Sequence, residues 1–179
     1  LYVVYSPSLI SVAEHTILLI LALVKRFVTA MDDLRAGVVA GGVQPAVTTQ
    51  TSYAYNWIGL SGFDALWGKR IGLVGLGKIG REVAVRLRAF GVEVVYTKRI
   101  PLSPEEEELL GVRFLPRDEL LRVSDCASLH HRFDESSERY MGRREFGLMK
   151  PGAYFVKTAR GRLVDEAALL DALESGRLA

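Results

Sequence analysis

From residue 69 onward, short apolar segments alternate with amphipathic ones. The apolar segments lack alternating polar positions, as is typical of strands covered on both faces. They predict strands at 71–74, 92–96, 112–115, 126–129 and 153–157. The amphipathic segments predict helices at 79–90, from 104, and at 118–123, 143–149 and 166–175. Because strands that alternate with helices are typical of a parallel sheet with right-handed crossovers, we predict an α/β fold.

Local sequence signals mark the ends of several of these helices. Ser103 followed by Glu106 three residues later forms a capping-box pattern, and Asp165 is a favourable N-cap for the last helix. Gly91 and Gly176 follow helical segments and predict their C-terminal stops. The predicted helices therefore have boundaries that do not depend on the apolar pattern alone.

The N-terminal part of the chain has a different pattern. Residues 1–6 predict a short strand, and Ser11 opens a capping-box pattern that begins a long helix predicted over 12–35. Positions 17–24 are apolar on nearly all sides, so we expect burial all round, by the same domain or by a second chain. Residues 37–62 lack periodicity and predict a long loop with a short helix at most.

Composition and charge exclude several classes of protein. With 49% apolar and 25% charged residues, the 179-residue chain has the balance of a globular domain rather than of a disordered one. The net charge of +2 does not predict a nucleic-acid binder. The longest apolar run, 17–24, has eight residues against the roughly 20 that a membrane span needs, so we predict no membrane segment.

The single cysteine, Cys126, lies in an apolar segment. One cysteine allows no intrachain disulfide, which is compatible with a reducing, cytoplasmic location. We predict a buried packing role for Cys126 rather than a nucleophilic one. The sequence starts inside a strand-like stretch and ends just after a helix stop, so we expect a fragment of a longer chain.

The strongest motif is G-x-G-x-x-G, formed by Gly75, Gly77 and Gly80 after a predicted strand and at the start of a predicted helix. This context is the one that a dinucleotide site requires. The first glycine permits a tight turn, the second lets a pyrophosphate approach the backbone, and the third lets the helix pack closely. Lys78 and Ile79 would then cradle the pyrophosphate at the helix N-terminus. The alternative is a structural glycine-rich turn.

The end of the second predicted strand indicates which dinucleotide is bound. Dinucleotide sites place an acid there, about 20 residues after the motif, to bind the ribose hydroxyls. This chain has Thr97, Lys98 and Arg99 instead, and a cation pairs with a 2′-phosphate. We therefore predict NADP(H) over NAD(H), with these three residues at the ribose. The alternative is that the two cations are surface charges only.

Four ordered blocks resemble the nucleotide-binding domain of the D-isomer-specific 2-hydroxyacid dehydrogenases and cover nearly the whole chain. The blocks are SVAEHTILLILALVKR, LWGKRIGLVGLGKIGREVAVRLRAFG, SLHHRFDESSERYMG and LMKPGAYFVKTARGRLVDEAALLDALESGRLA. The resemblance implies a Rossmann-type, doubly wound parallel sheet in a two-domain dehydrogenase. It implies that residues 1–10 are the hinge at the end of a missing substrate domain. Residues 11–179 would be the dinucleotide-binding domain, without its last strands.

The resemblance also implies site residues. Arg160, in the block KTARG, matches the arginine that binds the substrate carboxylate and carbonyl, and Thr158 and Ala159 before it are expected at the cofactor. A guanidinium can hold a 2-oxo acid with two donors and polarise its carbonyl, and a structural or surface arginine is the alternative. For His130, at the cofactor edge, we favour a structural role over proton transfer. The family's acid–base histidine and its glutamate are expected beyond Ala179.

Several positions depart from the family pattern. Leu-His-x-Pro becomes a segment that ends in Arg132, an asparagine becomes Lys157, and a glycine becomes Arg162. The extra cations would suit a 2′-phosphate or an unusually acidic substrate, and would equally fit a divergent, weakly active member. The loss of glycine at position 162 puts the local turn in doubt, because glycine adopts positive φ at little cost.

These inferences predict an NAD(P)-dependent oxidoreductase that transfers hydride between the cofactor and a small D-2-hydroxy or 2-oxo acid, with the 179 residues alone inactive. The alternative is a non-catalytic dinucleotide-binding sensor or corepressor-like module, because fold does not fix function. The family resemblance also implies a homodimer through helix 12–35, with burial inside the monomer as the alternative. No metal site is predicted.

Overall fold

The computed structural model describes residues 7–36, 49–51 and 60–179. They fall into a larger unit, with residues up to Ile20 and from Leu66 to Ala179, and a smaller unit, Leu21–Ala65. The strand predicted at 1–6 and most of the loop predicted at 37–62 lie outside the described residues.

The larger unit contains five strands and most of the helices. The strands are β1 (Arg70–Val74), β2 (Glu93–Thr97), β3 (Val112–Phe114), β4 (Cys126–Leu129) and β5 (Tyr154–Lys157). The helices of the described chain are α1 (Pro7–Val24), α2 (Phe27–Arg35), α3 (Lys78–Leu87), α4 (Pro104–Leu110), α5 (Arg117–Val123), α6 (Arg143–Leu148) and α7 (Glu166–Glu174). Every strand predicted from residue 69 onward is confirmed within about two residues.

The five strands form one parallel sheet in the order β3-β2-β1-β4-β5. Val74, the last residue of β1, is in register with Thr97 of β2 on one side and Leu129 of β4 on the other. The chain first builds β1, β2 and β3 towards one edge of the sheet and then returns to place β4 on the other side of β1. The strand order therefore reverses between β1 and β4. Open parallel sheets form their ligand crevice at such a switch point, beyond the carboxyl ends of the strands.

The core lies on both faces of the sheet. Leu73, Ala127 and Leu129 are fully buried in the strands, and Leu120 is fully buried on α5. Cys126 is also fully buried, and burial raises the pKa of its thiol to about 12. The predicted packing role of this cysteine is confirmed, since a buried thiol with a raised pKa is a poor nucleophile.

The helix ends predicted from local signals after residue 69 are also confirmed, whereas the start predicted at Ser11 is wrong, because Ser11 lies inside a helix that begins at Pro7. The Glu106 amide donates to Ser103 Oγ at 3.3 Å, and the Ser103 amide donates to the Glu106 carboxylate at 3.4 Å, which completes the capping box of α4. Asp165 accepts a hydrogen bond from the Ala168 amide at 3.1 Å and caps α7. Gly91 adopts a left-handed conformation, with φ of 65°, at the stop that follows α3.

The prediction of one continuous helix over 12–35 is wrong. Helix α1 begins at Pro7, because a proline at the first helical position lacks only an N–H that the helix would leave unpaired. The chain then breaks at Arg26, which has a left-handed φ of 48° and donates from its guanidinium to the Ser61 carbonyl at 2.9 Å. Helix α2 begins at Phe27, so the segment forms two helices rather than one.

Burial of α1 is incomplete. Ile17 and Ile20 are buried, whereas Leu18 is 57% exposed, so the described residues do not cover every side of the helix. Cover by a second chain stays a prediction. By length and composition α1 would suffice to cross a membrane, and 28% of it is buried. Core helices of soluble proteins and signal sequences meet the same length and composition criteria, so the predicted absence of a membrane segment also stays a prediction.

Candidate functional site

The glycine motif forms the loop between β1 and α3. Gly75 has a φ of +102°, and its amide donates to the Thr97 carbonyl at 3.0 Å. A Cβ atom on Gly75 would lie 2.8 Å from the carbonyl carbon and oxygen of His130. Only glycine fits this position, because both the backbone conformation and the neighbouring loop after β4 exclude a side chain.

The other two glycines of the motif serve different purposes. A Cβ on Gly80 would lie 2.6 Å from the Gly75 carbonyl oxygen, so the first turn of α3 packs directly on the loop. A Cβ on Gly77 would meet no atom within 4 Å, so packing does not require glycine there. Gly77 is the N-cap of α3, and no side chain caps this helix. The first amides of α3 therefore face open space, which is the arrangement that accepts an anionic group.

A cavity of about 670 Å³ opens beside these amides, at the carboxyl ends of β1, β4 and β5. It is lined by Leu9, Gly77, Lys78, Ile79, His130, His131, Arg132, Phe133, Thr158, Ala159, Arg160, Gly161 and Arg162. The predicted site residues Gly77, Lys78, Ile79, His130, Thr158, Ala159 and Arg160 are thus brought together. Gly75, Gly80, Thr97, Lys98 and Arg99 do not line it, although the first two shape its glycine loop.

The lining of the cavity is cationic. Lys78, Arg132, Arg160 and Arg162 contribute positive charge, and none of the lining residues that the structure describes is a carboxylate. A cavity lined by one sign of charge concentrates ligands of the other sign. The site is therefore suited to an anionic ligand.

His130 follows β4 and is a neutral, hydrogen-bonded residue. Its Nε2 lies 2.9 Å from the Ser128 hydroxyl, and burial lowers the pKa of its imidazole to about 4. At neutral pH the ring carries no charge, and a neutral imidazole is too weak an acid to protonate a substrate. The geometry supports the structural role favoured from the sequence.

Thr158 anchors the loop after β5 to helix α1. Thr16 Oγ1 donates to the Val12 carbonyl at 2.9 Å, and the two threonine hydroxyls lie 3.2 Å apart. Since the Thr16 proton is used within α1, the Thr158 hydroxyl is the donor between them. This hydrogen bond fixes the loop two residues before Arg160.

Arg160 lies at the cavity with its side chain exposed. Within the described part of the chain its guanidinium has no ion pair or hydrogen bond. Its backbone is held because its carbonyl accepts the Leu163 amide at 3.3 Å. An arginine that is held by its backbone and unpaired at its head group is able to bind a ligand.

Arg162, where the family pattern has glycine, is engaged with the protein. Its guanidinium lies 2.9 Å from the Glu138 carboxylate and 4.9 Å from the centre of the Phe133 ring. Arg162 lies in the 3₁₀ turn Gly161–Leu163 and does not adopt a positive φ. The doubt that the sequence raised about this turn is resolved, because the turn accepts a side chain in an ordinary backbone conformation.

The end of β2 carries the three residues predicted to select the ribose. Thr97 is buried, and Arg99 is exposed. Lys98 is half-buried, and Glu106 lies near enough to feel its charge. The pKa of Glu106 is lowered mainly by its hydrogen bond from Arg81, and further by the Ser103 amide and by Lys98. Lys98 and Arg81 therefore lie near one carboxylate, Glu106, which the sequence did not indicate.

Sequence reasoning did not place Leu9 or Phe133 at the site. Leu9 belongs to the first turns of α1, and Phe133 lies four residues after β4. Both side chains are apolar and unreactive, so the sequence offered no reason to place them at a binding site. Arg132 and Arg162 were visible only as departures from the family pattern.

A parallel sheet with a glycine loop and an open helix N-terminus at its switch point defines a dinucleotide-binding domain of Rossmann type. The family model "D-isomer specific 2-hydroxyacid dehydrogenase, NAD binding domain" matches residues 17–179. The chain belongs to this family.

Individual relatives agree with the family match. Glyoxylate reductase of Thermococcus litoralis is 32% identical over 181 residues, which is 100% of this chain and 51% of the relative. The solved Granulicella m. formate dehydrogenase is 30% identical with a TM-score of 0.81, over 95% of this chain and 42% of that one. The solved glyoxylate reductase of Paecilomyes thermophila is 35% identical with a TM-score of 0.78, over 97% and 48%. The chain thus spans about half the length of the curated relatives that it matches from end to end.

Proposed function

We propose that the protein is the nicotinamide-dinucleotide-binding part of an oxidoreductase that interconverts a small D-2-hydroxy acid and its 2-oxo acid. The observation that carries this proposal is the uncapped N-terminus of α3 at Gly77, which opens on the same cationic cavity as Arg160. The cofactor, when bound, supplies or accepts the hydride. The protein supplies binding, orientation and charge.

The residues present fit the diphosphate of a dinucleotide. The space above Gly77 is free for an anion, and the amides at Lys78 and Ile79 begin a helix whose positive end favours negative charge. Gly75 and Gly80 keep the loop in the conformation that leaves this space open. A side chain at position 77 would occupy the same space.

The glycine loop supplies the direct test of this proposal. Gly77→Val should abolish binding of NADH and NADPH, measured by calorimetry, without lowering the melting temperature, since a Cβ there meets no atom. Gly147→Val on α6 is the matched control, because a Cβ there also meets no atom and the residue does not line the cavity. Unchanged affinity in Gly77→Val would refute a diphosphate site at this loop.

We further propose that the cofactor is NADP(H) rather than NAD(H). Lys98 and Arg99 follow β2, where a 2′-phosphate would approach, and the strand end itself carries no acid, although Glu106 lies near Lys98. The double change Lys98→Gln and Arg99→Gln should lower affinity for NADPH and leave that for NADH within about twofold, because only the 2′-phosphate loses its partners. Tighter binding of NADH than of NADPH by the unchanged protein would overturn this preference.

We assign Arg160 to the carboxylate and carbonyl of the substrate. Its guanidinium is unpaired within the described chain, and two parallel donors suit a carboxylate. In the full-length protein, Arg160→Gln should reduce kcat/KM for a 2-oxo acid such as glyoxylate by about a hundredfold or more, because the loss falls on binding and on polarisation of the carbonyl together. Dinucleotide affinity should stay unchanged. A small change in kcat/KM would remove Arg160 from the substrate site.

We propose a homodimer that uses the segment 12–35. Large apolar side chains are exposed on both of its helices, with Leu18 on α1 and Phe27 and Val28 on α2. Leu18→Lys and Phe27→Lys should each shift the protein towards monomer in analytical ultracentrifugation. Leu109→Lys on α4 is the control, since Leu109 is also a large exposed apolar residue but lies outside the segment. A protein that is monomeric before any substitution would contradict the proposal.

A further inference from the structure

The cavity holds a second guanidinium without a partner. Arg132 lines it, is exposed, and makes no ion pair or hydrogen bond to any residue that the structure describes. Three carboxylates follow it in its loop, Asp134, Glu135 and Glu138, and none of them pairs with Arg132. Glu138 pairs with Arg162, and Asp134 accepts a hydrogen bond from the Ser136 hydroxyl at 2.6 Å. Nothing in its own loop therefore neutralises Arg132.

The loop that carries Arg132 is fixed close to the glycine motif. The backbone of His130 and His131 lies against Gly75, so closely that a Cβ there would not fit. The His131 ring is stacked on Tyr140 with centroids 4.6 Å apart, and the Arg117 guanidinium lies 4.5 Å from the centre of the Tyr140 ring. Arg132 thus extends from a rigid base beside the open amides of α3.

We propose that Arg132 binds a phosphate group of the dinucleotide, as a cationic partner to the amides at the N-terminus of α3. The proposal rests on the proposed function, because it requires a dinucleotide at the glycine loop. The sheet order separates Arg132 from the substrate position. The loop after β4 borders β1 and its glycine motif, whereas Arg160 follows β5, one strand further from that motif.

The dinucleotide offers two phosphate groups that Arg132 could bind, the diphosphate and the 2′-phosphate. The position of Arg132 beside the glycine motif favours the diphosphate. A guanidinium offers a phosphate two parallel donors, which a proline at this position would not. Because the side chain is exposed and screened by water, we expect its removal to weaken binding about tenfold rather than abolish it.

Calorimetric titration with NADH, NADPH and ADP tests the proposal. Arg132→Gln should lose about tenfold in affinity for all three ligands, and the loss should shrink at high salt, as expected for an ionic contact. A loss confined to NADPH would assign Arg132 to the 2′-phosphate instead and would still support a phosphate contact. Arg122→Gln, an exposed arginine on α5 outside the cavity lining, is the control and should bind all three ligands normally.

The inference fails separately from the proposed function. If the unchanged protein binds NADH or NADPH and Arg132→Gln binds all three ligands within twofold of it, Arg132 makes no phosphate contact and the inference is overturned. If the unchanged protein binds none of them, the proposed function fails and the Arg132 contact with it. The melting temperature of Arg132→Gln should equal that of the unchanged protein, since the side chain has no hydrogen bond or ion pair with any residue in the described ranges.

Discussion

The Thr158 hydroxyl donates a hydrogen bond to Thr16 Oγ1 across 3.2 Å, which joins the loop after β5 to helix α1. The two residues are 142 positions apart, and Thr16 is fully buried. Arg160 lies two residues after Thr158, so the position of the arginine depends on a contact with the first helix of the chain. Helix α1 therefore helps to position the candidate substrate residue.

Thr16→Val should loosen this anchor while it preserves the shape of the buried side chain. The change leaves the Thr158 hydroxyl without its acceptor, and we expect a loss of about 1–2 kcal/mol in the free energy of unfolding, measured with urea. Thr29→Val on α2 is the control and should have a smaller effect, because the Thr29 hydroxyl has no hydrogen bond within the part of the chain described. Equal stabilities for Thr16→Val and the unchanged protein would argue against the anchor.

Gly75→Ala should destabilise the protein strongly, because the new Cβ would meet the His130 backbone at 2.8 Å at a φ of +102°. Gly152→Ala separates the steric clash from the strain of a positive φ. Gly152 also has a positive φ, but a Cβ there meets no atom within 4 Å. The control should lose only the conformational part, about 1 kcal/mol, and Gly75→Ala should lose clearly more. Similar urea midpoints for the two variants would mean that the loop after β4 moves freely away from Gly75.

The sheet was predictable because each strand is a short apolar run that both faces of a parallel sheet must cover. The break between α1 and α2 was not, since the apolar residues Phe27 and Val28 follow directly after Lys25 and Arg26 and continue a helical pattern. The left-handed conformation of Arg26 is accompanied by a hydrogen bond to Ser61, 35 residues away. Contacts between residues so far apart in the sequence cannot be predicted from a local hydrophobic pattern.

The candidate site also has one part that the sequence predicts and one part that it does not. The glycine motif was predictable from the sequence, because Gly75 and Gly80 are required by close contacts with neighbouring backbone. The pairing of Arg162 with Glu138 depends instead on how the loops after β4 and β5 meet. From the sequence, Arg162 and Arg132 were equivalent extra cations, and only their contacts distinguish Arg162, which is paired, from Arg132, which has no partner among the residues described.

His130 should remain neutral well below the usual range of histidine. Burial lowers its pKa from 6.5 to about 4, so between these values the unfolded chain binds a proton that the folded protein does not. The resulting stabilisation is fully present above about pH 6.5 and is lost as the pH falls towards 4. NMR titration should show His130 titrating near pH 4.

Unfolding measurements check the same point. The free energy of unfolding of His130→Gln should depend less steeply on pH between 6.5 and 4 than that of the unchanged protein. His15→Gln, which removes an exposed histidine on α1, should keep the original dependence. An NMR titration of His130 near 6.5 would contradict the buried, neutral imidazole.

Arg162 and Glu138 should couple with each other and not with the ligand. Their ion pair is largely exposed, so we expect a coupling free energy of about 0.5 kcal/mol from a double-mutant cycle with Arg162→Gln and Glu138→Gln in urea unfolding. Packing of the guanidinium on Phe133 adds a further loss, about 0.5 kcal/mol, in Arg162→Gln alone. Because Glu138 holds the Arg162 guanidinium, removal of Arg162 should affect NADPH affinity less than removal of Arg132 does. The opposite order would mean that the ligand displaces Glu138, and that Arg162 is released to bind phosphate when the cavity is filled.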